Sequence, residues 1–137
     1  MDYMYMGEET GGKTLSILVA KDRSSRALMA TVVPRKSTGE FVSKRIVAFM
    51  RELGCEMSAV TVKTDNEPAL MAVADDVAKV RASRGARRTL MENSPAYSSK
   101  SNGVIERGVQ TIQGVVRTLR SAIEERWMLK LDPENAL

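Results

Sequence analysis

Histidine is absent from this chain of 137 residues, and cysteine occurs once, at Cys55. Without histidine there is no Ser-His or Cys-His nucleophile pair and no imidazole metal site. A single cysteine excludes an internal disulfide and a zinc site built from several thiolates. Its ordinary reading is a small, buried or half-buried residue. Aromatic residues make up 4% of the chain, so a core has to be built from Val, Leu, Ile, Ala and Met. No apolar run approaches the ~18 residues of a membrane-spanning helix. The N-terminal MDYMYMGEE has no basic region followed by an apolar run, so no signal peptide is read there. An enzyme made from these residues works with carboxylates, lysine or a bound hard metal.

What is present suits one domain of ordinary size. Hydrophobic residues are 43% of the chain and charged residues 28%, enough for a buried core and a soluble surface. The net charge of +4 permits a polyanion partner without demanding one. The most organised stretch is 98–127, SSKSNGVIERGVQTIQGVVRTLRSAIEERW. In it Ile105, Val109, Ile112, Val116, Leu119, Ile123 and Trp127 recur at steps of three and four, one apolar stripe on a long amphipathic helix. At 1.5 Å per residue the stripe runs roughly 33 Å. Asn102 and Gly103 stand where a helix cap belongs. Glu106 falls one position off the stripe, in the first turn or so.

Ahead of that helix, 1–6 (MDYMYM) reads as a strand with Asp2, Met4 and Met6 on one side. Turn chemistry follows at 7–13. The apolar run 15–20 (LSILVA) suits a central strand buried on both faces, and 27–33 (ALMATVV) a third strand of an antiparallel meander. Pro34 ends it. A helix opening at Thr38 or Gly39 has apolar positions at Phe41, Val42, Ile46, Phe49, Met50 and Leu53, with Gly54 as its stop. A strand at 59–64 (AVTVKT) ends directly at Asp65. A second helix runs from 67 to about 84, with Leu70, Val73, Ala74, Val77 and Val80 inward. RASRGARR (81–88) reads as a basic turn, 89–91 as a short strand and 92–102 as a polar loop. Three strands, then helix, strand, helix, strand and helix make an α/β layered domain with a mixed sheet.

Three carboxylates sit at informative places: Asp2 in the first strand, Asp65 at the end of the fourth and Glu106 on the long helix. If the first and fourth strands are neighbours, the three converge. Crowded carboxylates repel unless a cation neutralises them, and an all-oxygen site of this kind suits Mg²⁺ or Mn²⁺. Each residue also has a plainer reading. Asp65-Asn66-Glu67-Pro68 makes a good helix start. Glu106 in a first turn complements the helix dipole or closes a capping box. Asp2 alone is a charge near a terminus. Spacing and order do not choose between these readings.

The segments MDYMYM, VKTDNEPAL and NSPAYSSKSNGVIERGVQTIQGVVRTLRSAI resemble the catalytic core of retroviral and retrotransposon integrases, most closely those of copia-type elements. The most specific feature is the Ser-rich, Pro-containing loop followed by Asn-Gly-Val-Ile-Glu-Arg at the start of a long helix. The resemblance implies a ribonuclease H-like fold with a mixed five-stranded sheet flanked by helices. It also implies that Asp2, Asp65 and Glu106 are an Asp-Asp-Glu triad, both catalytic and binding two Mg²⁺ or Mn²⁺ ions. The implied activity is metal-dependent trimming of a DNA 3′ end, then attack of that 3′-hydroxyl on a target phosphodiester. The alternative is a catalytically degenerate module that binds nucleic acid or itself. DNA, both element ends and target, and further copies of the chain are the implied partners, in the nucleus. Residues 1–137 are then one core-like domain, expected to be truncated at both ends, without the zinc module before it or the DNA-binding module after it. Glu67-Pro68 departs from the family's glycine-led turn after the second Asp, and RASRGARR reads as an insertion.

Lys100, Asn102, Arg107, Arg117 and Arg120 are the residues that would meet DNA phosphates in such a core; on charge alone they make an ordinary solvated helix face. RASRGARR is a phosphate or nuclear-targeting candidate, with a plain basic loop as the simpler reading. Tyr97 either stacks on a base or covers its loop, and Trp127 extends the stripe into a core or a subunit interface.

Overall fold

The structure is a computed structural model that describes residues 1–6, 15–33, 39–93 and 99–131, apart from the side chains of residues 6 and 99–102. In chain order the elements are β1 (Asp2–Met6), β2 (Leu15–Lys21), β3 (Leu28–Val33), α1 (Glu40–Glu52), β4 (Val60–Thr64), α2 (Pro68–Ser83), β5 (Thr89–Asn93) and α3 (Ser99–Trp127). β2 is the centre of an antiparallel sheet ordered β1-β2-β3, while β4 and β5 form a separate parallel pair. The fold is mixed α/β with five strands, as the pattern of elements implies. The strands divide into two hydrogen-bonded sheets instead of one five-stranded sheet. The physical reason lies at β1, which has one residue ahead of Asp2. Its meeting with β4 is a hydrogen bond from the Met1 amine to the Lys63 carbonyl oxygen, 2.7 Å long, not a ladder.

Alternation along the strands supplies two cores. Tyr3, Leu18, Ala20, Met29 and Val33 pack with Val42, Ile46, Val47 and Phe49 of α1 and with Leu70, Val73 and Val77 of α2. On the opposite face Met4, Ile17 and Val19 pack beneath Leu28 and Ile105, Val109 and Ile112 of α3. β2 is therefore buried on both sides, as its unbroken apolar run requires. Phe41, assigned inward by period, is exposed, and Val47 takes an inward place. Gly54, at φ 72°, ends α1 in the left-handed conformation, where a Cβ is unfavourable.

α3 begins at Ser99, so Asn102 and Gly103 lie inside it and are not its cap. β5 correspondingly continues past Met91 to Asn93. Gly108 allows α3 to lie close to the sheet: a Cβ there would stand 2.9 Å from Leu28 Cδ2 and 3.4 Å from Lys21 Cδ. Only the first half of the apolar stripe is covered. Leu119 and Trp127, further along, are exposed.

The RASRGARR turn is structural at its start. Arg81 is fully buried. It donates to the carbonyl oxygens of Glu56 and Ser58 and to the hydroxyl of Thr89, joining the end of α2 to the start of β5. Glu56 in turn accepts from Arg51 Nε at 2.7 Å and Arg84 Nη1 at 2.7 Å. These hydrogen bonds hold its carboxyl down at about 2. The β4–β5 pair is thus clamped at the end opposite Asp65.

The two glycines of α3 should respond differently to alanine. Gly114 has nothing within 4 Å of an added Cβ, so Gly114→Ala should stabilise by ~0.5–1 kcal/mol through helix propensity alone. Gly108→Ala receives the same propensity gain but drives a methyl into Leu28, and should fall short of it or destabilise. Urea melts of the two variants check this; an equal gain at both positions would mean that α3 does not sit close to the sheet at Gly108.

Candidate functional site

The site lies where the two sheets meet. Asp2 is the first residue of β1, half-buried, and its Oδ1 accepts from the Tyr3 backbone N–H at 2.8 Å. Asp65 follows the last residue of β4. Its Oδ1 accepts from the Glu67 N–H at 3.0 Å, an Asx-turn that leads the chain into Pro68. The cap residue of α2 is therefore Glu67, and Asp65 shapes the approach to the helix without being its cap. This local geometry leaves lone pairs on both carboxylates for another partner.

Electrostatics tie the two acids together. Asp2 is raised above the ordinary carboxylate range, chiefly by burial and further by the charges of Asp65 and Glu67, while the Tyr3 N–H and the Met1 amine oppose the rise. The amine itself is lowered from 8.0 to about 6 by burial, against the attraction of Asp2 and Asp65. Two carboxylates and an amine thus share one poorly solvated corner. Burial raises Tyr3 as well, helped by Glu67. The sequence reading treated Glu67 only as a helix start. Its direct succession to Asp65-Asn66 was the available signal that its charge belongs to this corner.

Glu106 is exposed and stands two turns inside α3. It is too far from Ser99 for the dipole or capping-box role that a first-turn position gives. Among the described residues no group of three or more His, Cys, Asp or Glu is close enough to hold a metal ion. The structure therefore brings Asp2 and Asp65 together and leaves Glu106 outside the pair. By donor chemistry, two oxygen-only ligands that repel each other suit a hard divalent cation.

At the open end of the parallel pair, Thr64 Oγ1 donates to Asn93 Oδ1 at 3.2 Å. That bond ties the strand leading to Asp65 to the strand leading towards α3. Arg107 and Arg117 are exposed on α3. Arg120 is committed elsewhere: its Nε lies 2.9 Å from Glu124 Oε1 and its Nη2 2.8 Å from the Leu131 carbonyl oxygen. Tyr97 and the side chains of Lys100 and Asn102 lie outside the described residues.

No protein-family model and no curated protein matches the chain. Among solved structures, a chain of the simian T-cell lymphotropic virus intasome, determined in complex with the PP2A regulatory subunit B56 gamma, matches with a TM-score of 0.63. Identity is 21%, over 98% of this chain and 43% of that one. The present chain thus spans less than half the length of that neighbour. The catalytic core domain of BIV integrase matches at 17% identity with a TM-score of 0.49, over 90% of this chain and 68% of that one. The likeness to the intasome chain is one of fold, and the fold is integrase-like.

The corner makes a pH-dependent contribution of known sign. Between about 6 and 8.0 the unfolded chain binds more protons at the amine than the folded chain does. Stability from this group should therefore rise with pH across that window, by on the order of 2 kcal/mol. Residues added before Met1 replace the amine with an amide N–H, and the rise should vanish. Asp2 acts in the opposite direction: its folded form holds its proton above the ordinary range, so ionising it costs stability as pH climbs. Asp2→Asn keeps Oδ1 as acceptor for Tyr3 and should raise the metal-free Tm at pH 7 by about 2–4 °C. Calorimetry of the two proteins checks this; a lower Tm in the variant would mean that Asp2 is favourably solvated.

Proposed function

We propose that this chain is the core of an integrase-type polynucleotidyl transferase of the retrotransposon kind, with Asp2, Asp65 and Glu106 as its acidic triad on a ribonuclease H-like fold. The observation that carries the reading is the juxtaposition of Asp2 and Asp65 at the junction of the two sheets of an integrase-like fold, with each Oδ1 held by a backbone N–H. Two Mg²⁺ or Mn²⁺ ions bound there would supply charge to activate an attacking oxygen and to stabilise a leaving one. Asp2 and Asp65 hold the site at the sheet junction. Glu106 joins them through movement of the first turns of α3 towards β1. Arg107 and Arg117 meet DNA phosphates, with Lys100 and Asn102 ahead of them, in a nuclear setting. Arg120 is restrained by Glu124 and contributes less.

A second reading, a binding module without turnover, is favoured by the exposure of Glu106 outside the Asp2–Asp65 pair. Turnover separates the two. A preformed branched DNA asks least of the enzyme, because the reacting groups are already held together. Mn²⁺-supported resolution of such a branch, lost in Glu106→Gln, is the expected result. No product from a folded, metal-bound protein would establish the binding module. Product that survives Glu106→Gln would come from a contaminating nuclease.

Two measurements accompany the assay. Mn²⁺ should raise the Tm, since tenfold excess over Kd adds about 1.4 kcal/mol by mass action, and Asp65→Asn should remove most of that gain. An unmoved melting curve in millimolar Mn²⁺ would rule out the cation site. DNA binding should be sequence-tolerant and steep in salt. Arg107→Ala with Arg117→Ala should flatten the salt slope by about one to two units, roughly one for each lost phosphate contact; an unchanged slope would mean that this face is only solvated.

A further inference from the structure

The apolar stripe of α3 has two fates. Ile105, Val109 and Ile112 are covered by the sheet. Past them the same stripe leaves the sheet: Val115 is 50% exposed, Leu119 57% and Trp127 63%, with Val116 and Ile123 half-buried between them. Charged residues on an amphipathic helix normally occupy its solvent side, so an unbroken apolar row of almost four turns in water is a surface that lacks its partner. The end of α3 is well defined. Met128 turns the chain at φ 51°, and the Leu129 N–H donates back to the Glu124 carbonyl oxygen at 3.2 Å. Glu124 Oε1 then accepts the Leu131 N–H at 2.9 Å. The exposed stripe is therefore a formed helix face and not a frayed end.

We propose that residues 115–127 of α3 are the docking surface for a second copy of this chain, packed antiparallel about a two-fold axis near Ala122. The row is self-complementary under that operation. Val116 comes opposite Trp127 of the second copy, setting a small side chain against a large one, and Leu119 comes opposite Ile123. On one flank Arg120 comes opposite Glu124. Within one copy these two are already an ion pair one turn apart, at 2.9 Å. The two-fold axis places the pairs side by side with their charges alternating, so that each Glu124 lies between its own Arg120 and that of the other copy. A same-surface contact of this kind closes as a dimer and does not propagate. A partner of different sequence has no need for this symmetry, which is why a second copy is the occupant. Almost four turns of one helix bury roughly half of the about 800 Å² per partner of a standard interface. The dimer is accordingly weak, with Kd on the order of tens of micromolar. None of this depends on the proposed chemistry at Asp2 and Asp65.

Sedimentation of the full chain from about 5 to about 300 µM, a range that brackets a weak interface, should show the mass rising from monomer towards dimer. The emission of Trp127, the chain's one tryptophan, should move to the blue over the same range. Leu119→Lys should remain monomeric with an unchanged Tm, because Leu119 packs on nothing within its own copy. In a Cys55→Ser background, Ala122→Cys should form a disulfide-linked dimer on mild oxidation, and Gly114→Cys should not. Arg120→Glu should weaken the dimer at least several-fold, and adding Glu124→Arg should restore it. A mass that stays monomeric at the highest concentration overturns the proposal. So does a dimer that survives Leu119→Lys, or one that cross-links through Gly114→Cys instead of Ala122→Cys.

Discussion

The hydrogen bond from the Met1 amine to the Lys63 carbonyl oxygen, 2.7 Å long, is where the antiparallel sheet meets the parallel pair. Each sheet has its own support. β1, β2 and β3 are held by core packing on both faces, and β4 with β5 by α2 and by the buried Arg81. What the junction adds is position: it sets the first carboxylate of β1 beside the carboxylate that follows β4. Without that contact Asp2 and Asp65 would be acids at the ends of unrelated strands.

Holding them there costs stability. Burial lowers the amine and raises Asp2, and Asp65 and Glu67 add like charge. A corner that is electrostatically unfavourable when empty, yet rigidly supported by packed strands and oriented by backbone N–H groups, is what a cation-binding site requires: the ligands are arranged beforehand and their mutual repulsion is relieved by the ion. The same opposition between stability and function runs along α3, whose covered half anchors the helix and whose uncovered half is left for assembly.

Much of this was legible in the sequence because period carries it. The unbroken LSILVA run reported a strand buried on both faces, and the 3–4 spacing of Leu70, Val73, Ala74 and Val77 reported the inner face of α2. The order of elements and the positions of Asp2 and Asp65 at strand ends followed from the same patterns. Other features depend on distances that no local pattern encodes. Arg81 sits in a run that reads as a basic turn, and only the fold shows its guanidinium among carbonyl oxygens. The stripe on α3 is periodic to Trp127, but period does not reveal where the sheet beneath it ends. Helix propensity permitted α3 to start at Ser99, ahead of the cap signal at Asn102, and this moved Glu106 out of the first turn. The division into two sheets follows from the single residue ahead of Asp2, which limits how β1 and β4 can pair.

The central claim is that Asp2 and Asp65 form one cation site at the junction of the sheets. Paramagnetic broadening of backbone amide resonances by substoichiometric Mn²⁺ tests it most directly, because the effect falls off steeply with distance from the ion and needs no turnover. Broadening strongest at Asp2, Tyr3, Asp65 and Asn66, and extending to Glu106 as α3 closes, is the expected result. A folded protein whose strongest broadening falls on Asp75 and Asp76 of α2, or which shows none, would contradict it.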